Sequence, residues 1–450
     1  MPIGLGEAAI GGEIAALQIG IGLFSEPVDI YFGIYAPPIN ADHIYVLTPE
    51  NNLHPVSINS LLSNGTLKLS SGTLTPWMTN TLGGINEPVL RQMPVSSLPP
   101  GTYSLFLLVT PAGNLNSYYL WSTTARVGDN VIPISVNGPL CASGSYANKP
   151  CVSVKVCTPG TATCQVIDDI LLDTGSVGLR VFKQALYIAL DQVSLNTGLL
   201  AECIQFGDGS SDWGPVKIAD VILGSEPAVE VPIHVIDAGF GTPSPACSGA
   251  HQTPNEAGFN GILGVGLFSE DCGSLCENLR SNGMYYACSG LSCTASSVSL
   301  PDQVKNPVAF LPSDNNGVMI ELQDVVLDGF PSAGGYLVLG VGTQSNNIPS
   351  GVATYATNQS GDLFTTFNGS DYSSFIDTGS NGLFFPAGML SSLLKPCTGP
   401  YTGWYCPSSV INLSATNMGA FGSASGIESF QVGNFAELIN SSNFVFSDIG

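Results

Sequence analysis

The chain runs to 450 residues, more than one compact core usually holds, so two or three domains are expected. With 11 Lys and Arg against 34 Asp and Glu the formal charge is −23, which argues against nucleic acid or anionic membranes as partners, because phosphate binding needs cations. Charged residues make up only 10% of the chain, and many short apolar runs lie between turn residues, a pattern that favours β sandwiches or barrels over helices.

The opening, MPIGLGEAAIGGEIAAL, carries Glu7 and Glu13, has no basic stretch and shows no clean cleavage site, so it does not read as a signal peptide. No apolar run is long enough to suggest a membrane span. Val28–Tyr35 and His43–Leu47 read as strands joined by the turn-rich APPINAD. Leu98–Val109 reads as a Pro-Gly turn entering a strand, and Asn116–Thr124 as an aromatic strand. Several short strands between turns suggest an immunoglobulin-like sandwich over residues 1–126, unless these strands belong to the main body. The Arg126–Asn130 turn before a fresh strand, Val131–Val136, favours a boundary there. Tyr118, Tyr119 and Trp121 fit core packing better than a carbohydrate platform.

Beyond residue 131 the pattern is strands, Gly turns and cysteine loops. The 12 cysteines and their tight spacings suggest disulfides and an oxidising compartment. Cys157 with Cys164, and Cys397 with Cys406, are plausible local pairs. Cys272, Cys276, Cys288 and Cys293 offer a zinc alternative, although their spacings fit the usual knuckles poorly. His43, His54, His234 and His251 show no metal or triad spacing, and His234 reads as a packed strand residue.

One motif occurs twice. Ile170–Phe182 reads ILLDTGSVGLRVF and Ser374–Phe385 reads SFIDTGSNGLFF. Each copy is expected to be an apolar strand delivering an aspartate, Asp173 or Asp377, to a tight turn. Gly175 and Gly379 let the backbone turn closely, Thr174 and Thr378 can bond across to the opposite loop, and Ser176 and Ser380 can orient the carboxylates. Either copy alone fits an ordinary turn. Together they suggest two lobes grown from a duplicated half, with two carboxylates face to face. Such carboxylates share a proton, and the pair can act as base on a water while donating to a carbonyl.

At this point the sequence resembles the pepsin family of aspartic proteases, over roughly residues 131–450. Cys203–Ser210 (CIQFGDGS) is similar to the family's substrate flap, with Phe206 in place of its tyrosine, followed by Gly207, Asp208, Gly209 and Ser210. Phe259–Gly266 (FNGILGVG) resembles the segment that threads beneath the first Asp loop, and Gly335–Gly342 (GYLVLGVG) the strand pair opening the second lobe. NKPCVSVKVC, LLDTGSVGLR and Trp213-Gly214 look like an uncharacterised, secreted bacterial branch, a domain of unknown function. The resemblance implies an all-β, bilobal pepsin-like fold behind the small immunoglobulin-like domain: residues 1–126 accessory, 127–325 first lobe, 326–450 second lobe. It implies a monomeric aspartic endopeptidase, secreted, periplasmic or at the cell surface, acting on extended polypeptide at acidic pH. Gly209 and Ser210 backbone groups would touch substrate, and no metal or organic cofactor is needed.

The departures carry their own expectations. Arg180 stands where the family often has a tryptophan, and is expected either beside Asp173, lowering its pKa, or on the surface of its strand. No second apolar-apolar-Gly segment follows Asp377 between Asn412 and Gly450, and SNFVFSDIG reads as a strand followed by a turn, so the last strands are expected beyond it. The changed flap keeps open a second class of function, a catalytically weak or inactive binding or inhibitor-like protein on the same fold.

Overall fold

The computed structural model describes residues 8–10, 14–21, 24–63, 66–67, 74–94, 98–142, 146–422 and 424–450. The Glu7 and Glu13 segment thus lies outside the described residues. The chain is all-β, with only short helical turns between strands. It falls into two compact units, Met1–Pro133 with Gln344–Ile348, and Ile134–Thr343 with Pro349–Gly450. No described helix is long and apolar enough to cross a membrane.

The first unit is built on a six-stranded sheet in the order Tyr119–Val127, Gly101–Pro111, Val28–Tyr35, His43–Leu47, Leu53–Ser57, with Met78–Thr81 also on Val28–Tyr35. Side chains alternate along a strand, so Ile30, Phe32 and Ile34 share one face with Leu105, Leu107 and Val109, against Trp77 and Ile85. Tyr31, Val46 and Leu108 are buried on the other face under Leu61 and Leu74. Each such burial contributes about 1.5–3 kcal/mol. Of the aromatics expected in the core, only Trp121 packs against it. Tyr118 and Tyr119 are exposed, because the edge strand Tyr119–Val127 has a partner on one side only. Gln344–Ile348 joins this unit through Arg126, which donates to Asn346 O, and through a 2.8 Å bond between the Asn130 and Asn346 side chains.

In the second unit six strands close into a barrel. Pro150–Cys157 pairs with Cys164–Asp173, and Cys164–Asp173 runs parallel to Gly261–Val265. Gly261–Val265 pairs antiparallel with Val177–Phe182, which runs parallel to Val229–Ile236. Val229–Ile236 pairs with Ser211–Ile222, and Ser211–Ile222 returns to Pro150–Cys157. The apolar run Ile170-Leu171-Leu172 is buried where the strand has neighbours on both sides. Ala333–Leu339 pairs with Val318–Leu322, as the GYLVLGVG run suggested.

All twelve cysteines form disulfides: 141–151, 157–164, 203–247, 272–276, 288–293 and 397–406. The zinc alternative for Cys272, Cys276, Cys288 and Cys293 is therefore corrected, since oxidised sulfurs carry no thiolate to bind a metal. Full oxidation is consistent with a location outside the reducing cytoplasm.

A four-stranded sheet, Ser370–Ser374, Leu363–Phe367, Ile411–Met418 and Ser425–Val432, precedes and follows the second motif. Here two expectations fail. The strand before Asp377 ends at Ser374, and Phe375 and Ile376 are 61% and 74% exposed. Residues 375–385 make no sheet, because among the described residues no strand lies alongside to take their backbone bonds. SNFVFSDIG is likewise no strand; Val445 forms a single bridge to Phe330.

Candidate active site

Asp173 ends the strand Cys164–Asp173, and the chain turns through Thr174, Gly175 and Ser176 into Val177–Phe182. Gly261–Val265 threads between these two arms, with Gly264 opposite both Asp173 and Gly178. A Cβ on Gly264 would sit 2.7 Å from Val177 backbone atoms, so only glycine lets the arms close here. The Gly266 N–H then donates to Ser176 O at 2.8 Å. The first loop is thus held on a closed sheet, as Ile262-Leu263-Gly264 suggested.

The second loop meets it head-on. Thr174 N–H donates to Thr378 Oγ1 at 3.1 Å, and Thr378 N–H to Thr174 Oγ1 at 3.0 Å. Each hydroxyl passes its own proton to the opposite chain, Thr174 Oγ1 to Ile376 O at 2.7 Å and Thr378 Oγ1 to Leu172 O at 2.8 Å. Across this clasp a Cβ at Gly175 would lie 2.7 Å from Asp377 Cγ, and one at Gly379 would lie 2.8 Å from Asp173 Cγ. Each glycine is bare because the other loop's carboxyl occupies that space.

The carboxyls are not equivalent. Asp377 accepts from Gly379 N–H at 2.8 Å, Ser380 N–H at 3.1 Å and Ser380 Oγ at 2.6 Å. Asp173 accepts from Gly175 N–H at 2.7 Å, while the buried Ser176 Oγ falls short of hydrogen-bond geometry toward any partner. Burial pushes the Asp173 carboxyl up to about 6. The charge of Asp377 and a shared hydrogen bond add to the rise, against the opposing dipoles of Ser176 and the Gly175 amide. The pair therefore holds a proton in mildly acidic solution.

Tyr146, which sequence reasoning missed, donates its hydroxyl to Gly379 O at 2.7 Å. Its burial, and the charges of Asp173, Asp377 and Asp208 around it, push the phenol upward, so it stays a donor. Nothing in the sequence around Tyr146 marks it, since its partner lies in the other half of the motif pair.

Phe206–Ser210 forms the turn between Gly198–Gln205 and Ser211–Ile222. Phe206 N–H donates to Ser210 O at 2.9 Å, Gly209 takes φ 88°, and Ser210 N–H donates to Asp208 Oδ1 at 2.8 Å. Gly207, Asp208 and Gly209 are exposed, and Phe206 is half-buried against Leu171, Phe182, Ile236, Phe259 and Ile262. The Phe206 ring is thereby anchored by packing alone. Beside the hairpin, His251 Nδ1 lies 2.8 Å from Oδ1 of buried Asp212.

Arg180 is neither at the surface nor among the groups that set the Asp173 pKa. It is fully buried, with Nη2 2.8 Å from Glu202 and 3.1 Å from Asp271, and Nη1 donating to Val177 O at 2.6 Å. Tyr285 Oη donates to Asp271 at 2.6 Å, and His234 lies 3.2 Å from Glu202, buried in its strand as expected. Burial pushes the His234 imidazole downward. Burial also drives the Asp271 carboxyl well up, while Glu202, despite its own burial, is held down by the charge of Arg180 and by hydrogen bonds from Asp271 and Arg180. One cation thus faces two carboxyls whose proton affinities are pushed apart. An arginine this deep needs such partners. They bind the strand after the Asp173 loop to the strand that leads into the hairpin.

Residues 126–450 match the family described as Protein of unknown function (DUF3443), and the chain belongs to that family. No curated protein matches it.

Proposed function

We propose that this member of the DUF3443 family is a secreted aspartic endopeptidase with a pepsin-like, bilobal fold preceded by an immunoglobulin-like domain. The observation that carries the reading is the mutual approach of the two Asp-Thr-Gly loops, each glycine against the other's carboxyl. Asp173 keeps the shared proton and donates it toward the scissile carbonyl oxygen. Asp377, aligned by Gly379 and Ser380, takes a proton from a bound water as the water oxygen attacks the carbonyl carbon. The tetrahedral intermediate collapses as Asp377 gives its proton to the leaving nitrogen, the C–N bond breaks, and a hydroxyl of the gem-diol returns its proton to Asp173. No covalent intermediate forms, and the carboxyls end as they began. The Phe206–Ser210 hairpin is the flap in this reading, with Gly209 and Ser210 offering backbone groups to an extended polypeptide. Six disulfides support the secreted location.

Cleavage of a denatured protein and a mixed peptide library across pH 2–8 tests this. The reading requires turnover that is greatest at acidic pH; a flat profile counts against the dyad. A second reading, a binding protein on the same fold, is favoured by one observation. The flap hairpin carries Phe206, which has no hydroxyl and is held by packing alone. A folded protein without turnover on any substrate favours that reading.

A further inference from the structure

Among the described residues no strand threads beneath the second loop, yet Thr378 and Gly379 are held in register with the first loop. A short segment near the start of the barrel supplies the hold. Besides the Tyr146 bond to Gly379 O, Asn148 Nδ2 donates to Asn381 O at 3.1 Å and to Phe446 O at 2.9 Å. Phe446 N–H donates to Asn148 Oδ1 at 2.7 Å, and Asn148 N–H donates to Phe444 O at 2.9 Å. Asn148 makes these contacts from a left-handed conformation, φ 53°, which asparagine tolerates better than most residues. Between the two, Ala147 is buried with Cys397, Phe435, Phe446 and Ile449.

The other end of the segment is tied to the first loop's strand. Lys149 is buried, and its Nζ donates to Asp169 Oδ1 at 2.8 Å, Gly258 O at 2.9 Å and Ala142 O at 3.2 Å. Asp169 lies in the same strand as Asp173. The Cys141–Cys151 disulfide closes the segment onto its own strand. Four consecutive residues therefore join the strand carrying Asp173 to Gly379 and Asn381, which flank Ser380.

We propose that Tyr146 and Asn148 are positioning residues, and that Tyr146–Lys149 is a strap that sets the second Asp loop against the first. For catalysis this rests on the dyad reading above; for loop order it stands independently. Tyr146→Phe removes one bond. Asn148→Gly removes the side-chain bonds while keeping a residue that accepts positive φ. Full-length protein and both variants are compared by amide hydrogen exchange, thermal unfolding and steady-state peptide cleavage. The expected result is exchange faster by about tenfold or more at residues 377–383 and at the Thr174 amide clasped to them, with the sheet residues 170–173 unchanged and little change in Tm. Where the wild type turns over peptide, kcat falls by about tenfold or more with KM nearly constant, and the pH profile moves, because misplaced carboxyls share their proton differently. Unchanged exchange at 377–383 in both variants, or equal acceleration along the whole chain, overturns the strap. A wild type without turnover defeats the dyad reading alone, and the exchange result still decides the strap.

Discussion

Thr174 and Thr378 clasp one another: each gives its backbone N–H to the other's hydroxyl, at 3.1 and 3.0 Å, and each hydroxyl bonds onward to the opposite chain. Thr174→Val keeps the shape and loses both bonds of one hydroxyl, leaving the Thr378 N–H and Ile376 O without that partner. The expected cost is about 1–3 kcal/mol by chemical denaturation. Thr174→Ser keeps the hydroxyl and is expected to lose less than about 1 kcal/mol. Equal losses in the two variants contradict the clasp.

Gly175→Ala and Gly379→Ala place a methyl group against the facing carboxyl, at 2.7 and 2.8 Å from its Cγ. The carboxyl has to move. Turnover is expected to fall by about a hundredfold in each variant, with circular dichroism unchanged. Wild-type rates in either variant contradict the facing arrangement.

The raised Asp173 pKa has a stability consequence of definite sign. A carboxyl at about 6 in the folded protein, against 3.8 in the unfolded chain, binds its proton more tightly when folded. Its contribution to stability is complete below pH 4 and is lost as pH rises towards 6. The difference between the folded and unfolded values corresponds to about 3 kcal/mol. Asp173→Asn removes this dependence. The unfolding free energy of the variant relative to wild type is expected to rise by about that amount from pH 4 to pH 7. A constant difference across that range contradicts a shared proton held at Asp173.

Arg180→Met leaves the buried Glu202 carboxylate without its cation. The expected cost is about 3–5 kcal/mol, read by denaturant titration. A loss below about 1 kcal/mol contradicts the ionic tie between the Asp173 loop and the hairpin strand.

Much of the fold was legible because the relevant patterns are local. Val28–Tyr35, His43–Leu47 and Val131–Val136 are strands over the bounds their apolar runs suggested. The first Asp loop, the Phe206–Ser210 turn and the 157–164 and 397–406 disulfides also follow from short-range signals. The 141–151 and 203–247 pairs were not legible, because cysteine spacing alone leaves the partner open. The second copy of the motif misled: SFIDTGSNGLFF has the apolar run of a strand, but pairing depends on a neighbour the run itself does not specify. Arg180 was expected in the wrong place and Tyr146 was missed for a related reason. Their roles come from Glu202, Asp271 and Gly379, which no spacing rule connects to them.

The central claim is that Asp173 and Asp377 form one catalytic unit. It is tested most directly by comparing peptide turnover by the full-length protein with that of Asp173→Asn and Asp377→Asn, each shown to be folded, at the acidic optimum. The expected result is wild-type turnover and its loss by at least about a thousandfold in both variants alike, since two groups acting as one unit fail together. Turnover that survives in either folded variant contradicts it.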